Sequence, residues 1–207
     1  KGDIPPKITD EYKGDFNEIK NNLNTCIDAI NLLVQDSLML VKAAEEGELK
    51  TRAEAIRHQG DFRKIIEGVN KTLDNVINPM NVAADFLHRV SNGMELIKIT
   101  DNYKGDFNVI KNNINTCIDI LYSILGDTSM LAKGAVEGRL DIRADLSKYK
   151  NAWYELVKGI NDTLDAVTGP LNVAAEYVDR ISKGDIPPKI TDEYKGDFNE
   201  IKNNLNT

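Results

Sequence analysis

The sequence predicts an all-α protein in which helix–connector–helix modules form stacked parallel four-helix coiled-coil bundles as a homodimer. The chain has 207 residues, and the segment Lys1–Thr25 returns without one difference at Lys183–Thr207. Apolar residues follow a heptad pattern over long stretches, which is typical of coiled-coil helices. Glycines interrupt these stretches at regular intervals, as expected where helices end.

The repeat has a period of 91 residues, because a looser third copy of the opening segment starts at Asn92, midway between Lys1 and Lys183. Agreement extends beyond that segment, since NVAADFLHRVS after Met80 matches NVAAEYVDRIS after Leu171. Repetition at a fixed period indicates an array of structural units. Two full units and a fragment are present.

A shorter motif divides each unit in half. It consists of an aromatic residue, an aliphatic residue three positions later, and an aliphatic residue followed by asparagine seven and eight positions later. The aromatic residues are alternately 46 and 45 positions apart, so two versions of the module alternate. We interpret the motif residues as the core for packing and signalling: Phe16, Ile19, Leu23, Asn24; Phe62, Ile65, Val69, Asn70; Phe107, Ile110, Ile114, Asn115; Trp153, Leu156, Ile160, Asn161; with Phe198, Ile201, Leu205 and Asn206 in the last copy.

One long helix is predicted from Phe16 to about Glu46, where the apolar pattern shifts by four residues near Val34–Leu38. Such a shift is a stutter, which locally unwinds a coiled coil and changes its inward face. Glycines are predicted to end the helices, at Gly2, Gly47, Gly93, Gly138 and Gly184. Connectors with scattered aliphatic residues follow, and these are expected to lie along the bundle.

Prolines mark the expected junctions between modules. Pro79 and Pro170 lie within helical patterns, where a proline removes a backbone donor and kinks or restarts a helix. The predicted modules are 1–31 (partial), 32–77, 78–122, 123–168 and 169–207 (truncated in its second helix). A single chain of this kind leaves its narrow apolar stripes uncovered, so the predicted partner is a second copy in a parallel homodimer.

Composition excludes several classes of function. The net charge is −7 and no Lys/Arg cluster occurs, which argues against nucleic-acid or anionic-membrane partners. No apolar run approaches the ~20 residues of a membrane helix, so no direct membrane insertion is expected. With no signal peptide and only two cysteines, at equivalent repeat positions, a reducing, cytoplasmic location is predicted.

The segment GDFNEIKNNLNTCID resembles the HAMP domain, and most closely the serial HAMP arrays of certain chemoreceptors and hybrid histidine kinases. That family opens its second helix with an acidic pair, followed by an aliphatic residue and glycine. Here Asp15 keeps one acid, whereas Gly14, Phe16 and Asn17 depart from the pattern. Ile19, Leu23 and Asn24 fit it.

The resemblance implies an intracellular segment that relays conformational change between sensor and output domains of a longer chain, most closely in a chemoreceptor. It also implies that the acid at the start of the second helix contacts the connector and takes part in switching. The candidate switch acids are Asp15, Asp61, Asp106 and Asp197, whereas Ala152 occupies the equivalent position in the fourth motif. The motif asparagine is expected to fix register near the apolar seam.

No enzyme, cofactor or metal site is predicted, because no catalytic constellation recurs with the repeat. His58 and His88 correspond to Tyr149 and Asp179 and are expected at the surface. Cys26 and its repeat mate Cys117 are expected in the seam, either as small buried apolar residues or as a symmetric disulfide between two chains. The alternative function is a passive spacer or filament-like rod.

Overall fold

The computed structural model describes residues 2–207, which form five α-helices, two short 3₁₀ helices and no strand. This confirms the predicted all-α class. The α-helices are α1 (Asp15–Glu45), α2 (Gly60–Ser91), α3 (Gly105–Val136), α4 (Asn151–Ser182) and α5 (Asp197–Leu205). The 3₁₀ helices, Ala55–Arg57 and Leu146–Lys148, lie in two of the connectors and were not predicted.

The prolines do not interrupt their helices. α2 is continuous through Pro79 and α4 through Pro170, so of the two expected effects, a kink or a restart, the restart does not occur. A proline inside a helix removes one backbone hydrogen bond and crowds the carbonyl group four residues earlier. The buried residue Ile77, just before Pro79, anchors that part of α2. The helix therefore runs on through the predicted junction.

Glycine ends four of the helices in the predicted way. Gly47 has a φ of 77°, and its N–H donates to Ala44 O (3.2 Å) while Glu48 N–H donates to Ala43 O (2.8 Å). These are the two bonds of a Schellman motif, which satisfies the last carbonyl groups of a helix. The same pair of bonds recurs after α2, α3 and α4, at Gly93, Gly138 and Gly184. Gly2 also has a positive φ, 101°.

The starts of the helices share a second backbone feature. The residue at each start has a φ between 52° and 56°, in the left-handed region. Glycine adopts this region without a steric penalty, whereas a side chain is disfavoured there. Four of the five positions are glycine, and the fifth is Asn151, with a φ of 52°. The residues concerned are Gly14, Gly60, Gly105, Asn151 and Gly196.

The chain divides into two compact units. The first comprises the chain up to Ile97 together with Asp101–Lys111, and the second comprises Lys98–Thr100 and Asn112–Thr207. In the first unit α1 packs on α2, and the connector between them packs along α2. Ile66 of α2, only 1% exposed, and Ala53 of the connector are buried there.

The second unit has its core where α3, the following connector and α4 meet. Leu131 of α3, Ala144 and Tyr149 of the connector and Val157 of α4 are buried together. Partly buried apolar residues surround them, among them Ile142. The connectors thus contribute to the interior, as the scattered aliphatic residues predicted.

None of the helices formed by residues 2–207 combines the length and the hydropathy needed to cross a bilayer.

Candidate functional site

Each connector is fixed to the helix that follows it by the asparagine of the motif. The Asn24 side chain accepts a hydrogen bond from Ile8 N–H (2.8 Å) and donates one to Ile8 C=O (2.9 Å). The amide therefore satisfies both backbone groups of one connector residue, much as a neighbouring strand would. The same two bonds join Asn70 to Ala53, Asn115 to Ile99, Asn161 to Ala144 and Asn206 to Ile190.

This contact was not predicted. The sequence singled out the asparagine, but for a role in register near the apolar seam. The partner is a pair of backbone groups 16 or 17 residues earlier, and backbone groups carry no signature in the sequence. What the sequence does carry is the recurrence of asparagine at one motif position in all five copies.

Two classes of connector alternate along the chain. We call 47–59 and 138–150 the arginine connectors, because an arginine in each bonds the following helix. We call 2–14, 93–104 and 184–196 the lysine connectors, because a lysine on the following helix bonds a carbonyl group of each one. The alternation matches the two module versions that the motif spacing predicted.

The arginine connectors are fixed by a half-buried guanidinium group. Arg52 donates twice to Asp74 Oδ1 on α2 (2.9 and 2.7 Å) and to the carbonyl oxygens of Leu49 and Thr51. Arg143 makes the equivalent bonds to Asp165 and to its own connector, with an additional bond to Thr168. One side chain thus shapes the connector and holds it on the following helix.

Exposed charges hold the lysine connectors. Lys20 Nζ on α1 donates to Asp10 O at 3.2 Å, and Lys7 of the connector forms an ion pair with Asp28 of α1. Both partners of that pair are more than half exposed, and exposed pairs of this kind contribute about 0 to 1 kcal/mol. Lys98 and Asp119 repeat the arrangement.

Each arginine connector is also tied to the preceding helix, through a buried carboxylate. Asp36 of α1 is only 3% exposed. Its Oδ2 lies 2.8 Å from His58 Nε2 and its Oδ1 lies 3.3 Å from Arg57 Nη1. Both donors belong to the last residues of the connector, just before α2 begins. The expectation of a surface position for His58 is therefore wrong, since its side chain is 1% exposed.

The second unit contains the same cluster with different donors. Asp127 of α3 accepts a hydrogen bond from the Tyr149 hydroxyl group at 2.7 Å, and Lys148 Nζ lies 3.1 Å from its other oxygen. Burial of Tyr149, together with its bond to the Asp127 carboxylate, raises the pKa of the phenol to about 12. The hydroxyl therefore stays protonated and remains a donor throughout the neutral range.

The role of these aspartates is not evident from the sequence, because their donors differ in residue type between the units. His58 corresponds to Tyr149, so the histidine does not recur although a donor at that position does. A usable signal was present, since Asp36 and Asp127 interrupt apolar helices at equivalent positions. Every buried side-chain polar atom in the part of the chain that the structure describes has a hydrogen-bond partner.

The motif's apolar residues form a largely uncovered stripe in the single chain. Phe16 is 71% exposed and Ile19 54%. Others are half-buried, such as Phe62, Phe107 and Ile160, and Ile114 is buried. The exposed members also include Leu23, Ile65, Val69, Ile110, Trp153 and Leu156.

The candidate switch acids lie at the helix starts. Asp15 and Asp197 are the first residues of their helices, each after a glycine that occupies the N-cap position. Asp61 forms an ion pair with Lys64 of the same helix at 2.8 Å, with its side chain 89% exposed. Asp106 lies in the first turn of α3. The helix dipole stabilises a negative charge at this position.

His88 is exposed, as the sequence predicted, and it contacts Asn92. Cys26 and Cys117 are both free thiols and exposed. Cys26 lines a groove between α1 and the first connector, beside Leu23 and Ile30. The cysteine therefore lies beside the apolar stripe of α1.

One known family matches the chain. The family model described as HAMP domain matches residues 1–32, 57–123 and 148–207, which together make up more than half of the chain. No solved structure matches the chain.

Proposed function

Because the chain belongs to the HAMP domain family, whose members relay signals in sensor proteins, we propose that it is a serial relay. In this proposal two parallel copies form stacked bundles that pass a conformational bias from a sensor domain to an output domain, in the cytoplasm and within a chemoreceptor. HAMP domains are signalling modules and not catalysts. The proposed partners are thus a second copy and the neighbouring domains of the same longer chain.

The uncovered apolar stripe is the observation that carries this proposal. Phe16 of the motif is more than 60% exposed in the single chain, as are Leu38 and Leu87 farther along α1 and α2, although these helices have 31 and 32 residues. Stripes of this extent mark an interaction surface. A second copy with the same heptad pattern would cover them, as in a parallel coiled coil.

Alternation of the connectors supports a relay over a spacer. A passive spacer needs only one kind of module, whereas here two kinds of connector follow one another in strict order. At the stutter near Val34–Leu38 the apolar seam also shifts from one heptad phase to another within a continuous helix. Neither packing is then ideal along the whole helix, so two arrangements can differ by only a few kcal/mol, which a signal can bias.

Module deletion tests the relay in a hybrid receptor, with the array placed between a sensor and a reporter kinase. Removing Gly47–Asn92 joins two modules of the same version, and this should invert or lock the stimulus-dependent kinase output. The matched control removes one whole period of 91 residues, Lys1–Ser91, from a longer array. That deletion recreates a junction already in use, so signalling should survive.

A passive spacer makes a different prediction for the same pair of deletions. Both would shorten the spacer, by different lengths but with the same qualitative effect on output. Equal behaviour of the two deletions would therefore favour the spacer and count against the relay. The comparison needs the stimulus response of each variant relative to the undeleted array.

A further inference from the structure

Two buried aspartates each connect the first helix of a module to the start of its second helix. Asp36 lies on α1 and contacts residues 57 and 58, directly before α2 begins at Gly60. Asp127 lies on α3 and contacts residues 148 and 149, directly before α4 begins at Asn151. Each carboxylate therefore bridges the two helices of one module through the last residues of its connector.

A buried carboxylate of this kind is strongly held. Asp36 is 3% exposed and Asp127 9%, so each depends on its two donors to compensate for lost hydration. Breaking a buried charged pair costs far more than breaking an exposed one. The exposed Asp61, by contrast, bonds Lys64 within its own helix, a contact that joins no two elements.

We propose that Asp36 and Asp127 are the positioning residues that couple the incoming helix to the outgoing helix in modules 32–77 and 123–168. The inference rests on the proposed relay function. A rotation or shift of α1 moves the Asp36 carboxylate, and the carboxylate moves the connector end that sets the start of α2. The proposed coupling acid of these modules thus lies on the first helix, and is distinct from the acid at the start of the second.

The exchange of donors between the two units supports this role. His58 in the first unit and Tyr149 in the second both bond the same carboxylate oxygen, at 2.8 and 2.7 Å. The partners of the other oxygen, Arg57 and Lys148, are both cations. The aromatic donor is therefore histidine in the first unit and tyrosine in the second, but both units keep a donor to the buried aspartate.

Hydrogen exchange on the 207-residue chain tests how the connector is held. We expect Asp36→Asn and His58→Phe to speed exchange in residues 47–59, on the order of tenfold or more. His58→Tyr, which keeps a donor, and Asp61→Asn should leave exchange there close to the unmutated rate. Residues 138–150 serve as the reference within each molecule. If Asp36→Asn fails to fold by circular dichroism, the His58→Phe and His58→Tyr pair decides the test.

Output of the hybrid receptor tests whether the bridge transmits motion. Asp36→Asn and His58→Phe should reduce the stimulus response, whereas His58→Tyr, which keeps a donor for Asp36, should keep it. Unchanged exchange in His58→Phe would overturn the proposal. Faster exchange with a normal stimulus response would also overturn it, because the bridge would then be only structural. An unmutated array that gives no response would overturn the relay itself, a result separate from the exchange data.

Discussion

Gly134 and Ile142 occupy complementary space in the second unit, since a β-carbon on Gly134 would lie 2.0 Å from Ile142 Cδ1 and 3.0 Å from Cγ1. The equivalent pair in the first unit, 91 residues earlier, is Ala43 and Thr51. The first unit thus combines the larger helix residue with the smaller connector residue, and the second unit does the reverse. Helix and connector are matched to each other within each unit.

This match predicts a non-additive double-mutant cycle. Gly134→Ala alone gains up to about 1 kcal/mol of helix propensity, but the overlap with Ile142 Cδ1 and Cγ1 forces that side chain to move and costs up to about 1 to 3 kcal/mol. Ile142→Thr relieves the overlap. The double variant should therefore be more stable than the sum of the two single effects predicts, by roughly 1 kcal/mol or more. Thermal unfolding of the four proteins measures the coupling, and additive effects would contradict the match.

Tyr149 predicts a loss of stability at high pH. Its pKa is raised from an ordinary value of 10.0 to about 12, by burial and by the bond to Asp127. Between pH 10 and pH 12 the unfolded chain loses this proton while the folded chain keeps it. Stability from this group is therefore complete below pH 10 and is lost as pH rises towards 12.

Tyr149→Phe removes the ionisation but leaves Lys148 paired with Asp127, so it is the matched control. Denaturant unfolding at pH 8, 10 and 12 should show a steeper loss for the unmutated chain than for Tyr149→Phe. The difference should be at most about 1.4 kcal/mol per pH unit. Parallel pH profiles for the two proteins would show that the phenol does not titrate in this way.

Asn151 predicts a stabilising substitution. It has a φ of 52° where the equivalent residue of the first unit, Gly60, has a φ of 55°. Left-handed backbone costs a side chain about 1 to 2 kcal/mol, although asparagine tolerates it better than most. Asn151→Gly should therefore raise the melting temperature slightly, and Gly60→Asn should lower it. A decrease for Asn151→Gly would show that the unfolded-state entropy of glycine outweighs the relief of strain.

The long helices and their ends were predictable because their causes are local. Heptad periodicity predicted α1, and the Schellman bonds at Gly47 follow from the conformational freedom of one residue at the end of an apolar pattern. Identical sequences also fold alike in two contexts, since Gly14 and Gly196 have φ values of 56° and 53°. Local chemistry therefore determines these features whatever the neighbours are.

Contacts between elements were less predictable, because their partners are far apart in sequence and differ in type. Asn24 bonds backbone groups of Ile8, which any residue could supply. His58 and Asp36 are 22 residues apart, and the repeat supplies tyrosine instead of histidine. The sequence also left open whether Pro79 kinks or restarts its helix, whereas α2 is continuous there and carries the buried Ile77 two residues earlier.

The uncovered apolar stripe predicts a parallel dimer in solution. Phe16, Ile19 and Leu38 are each more than half exposed in the single chain, and burial of such side chains contributes about 1.5 to 3 kcal/mol each. Light scattering at micromolar concentration should give the mass of two chains. A monomeric mass with full helicity would contradict the proposed architecture.

Cys26 can report the orientation of that dimer. It lies beside Leu23 and Ile30 on α1, and equivalent seam residues of a parallel, in-register dimer approach each other across the symmetry axis. In a Cys117→Ser variant, mild oxidation should therefore link Cys26 to its own copy in the partner.

A cysteine on another face of the same helix provides the control. Asn31 is exposed and lies five residues after Cys26, about 140° around the helix axis. Asn31→Cys, in a chain with both native cysteines replaced by serine, should link far more slowly. A disulfide needs Cα atoms within about 7 Å of each other, so an antiparallel dimer would place the two Cys26 residues out of reach. Absence of the Cys26 link in a chain shown to be dimeric would thus exclude the parallel arrangement on which the relay depends.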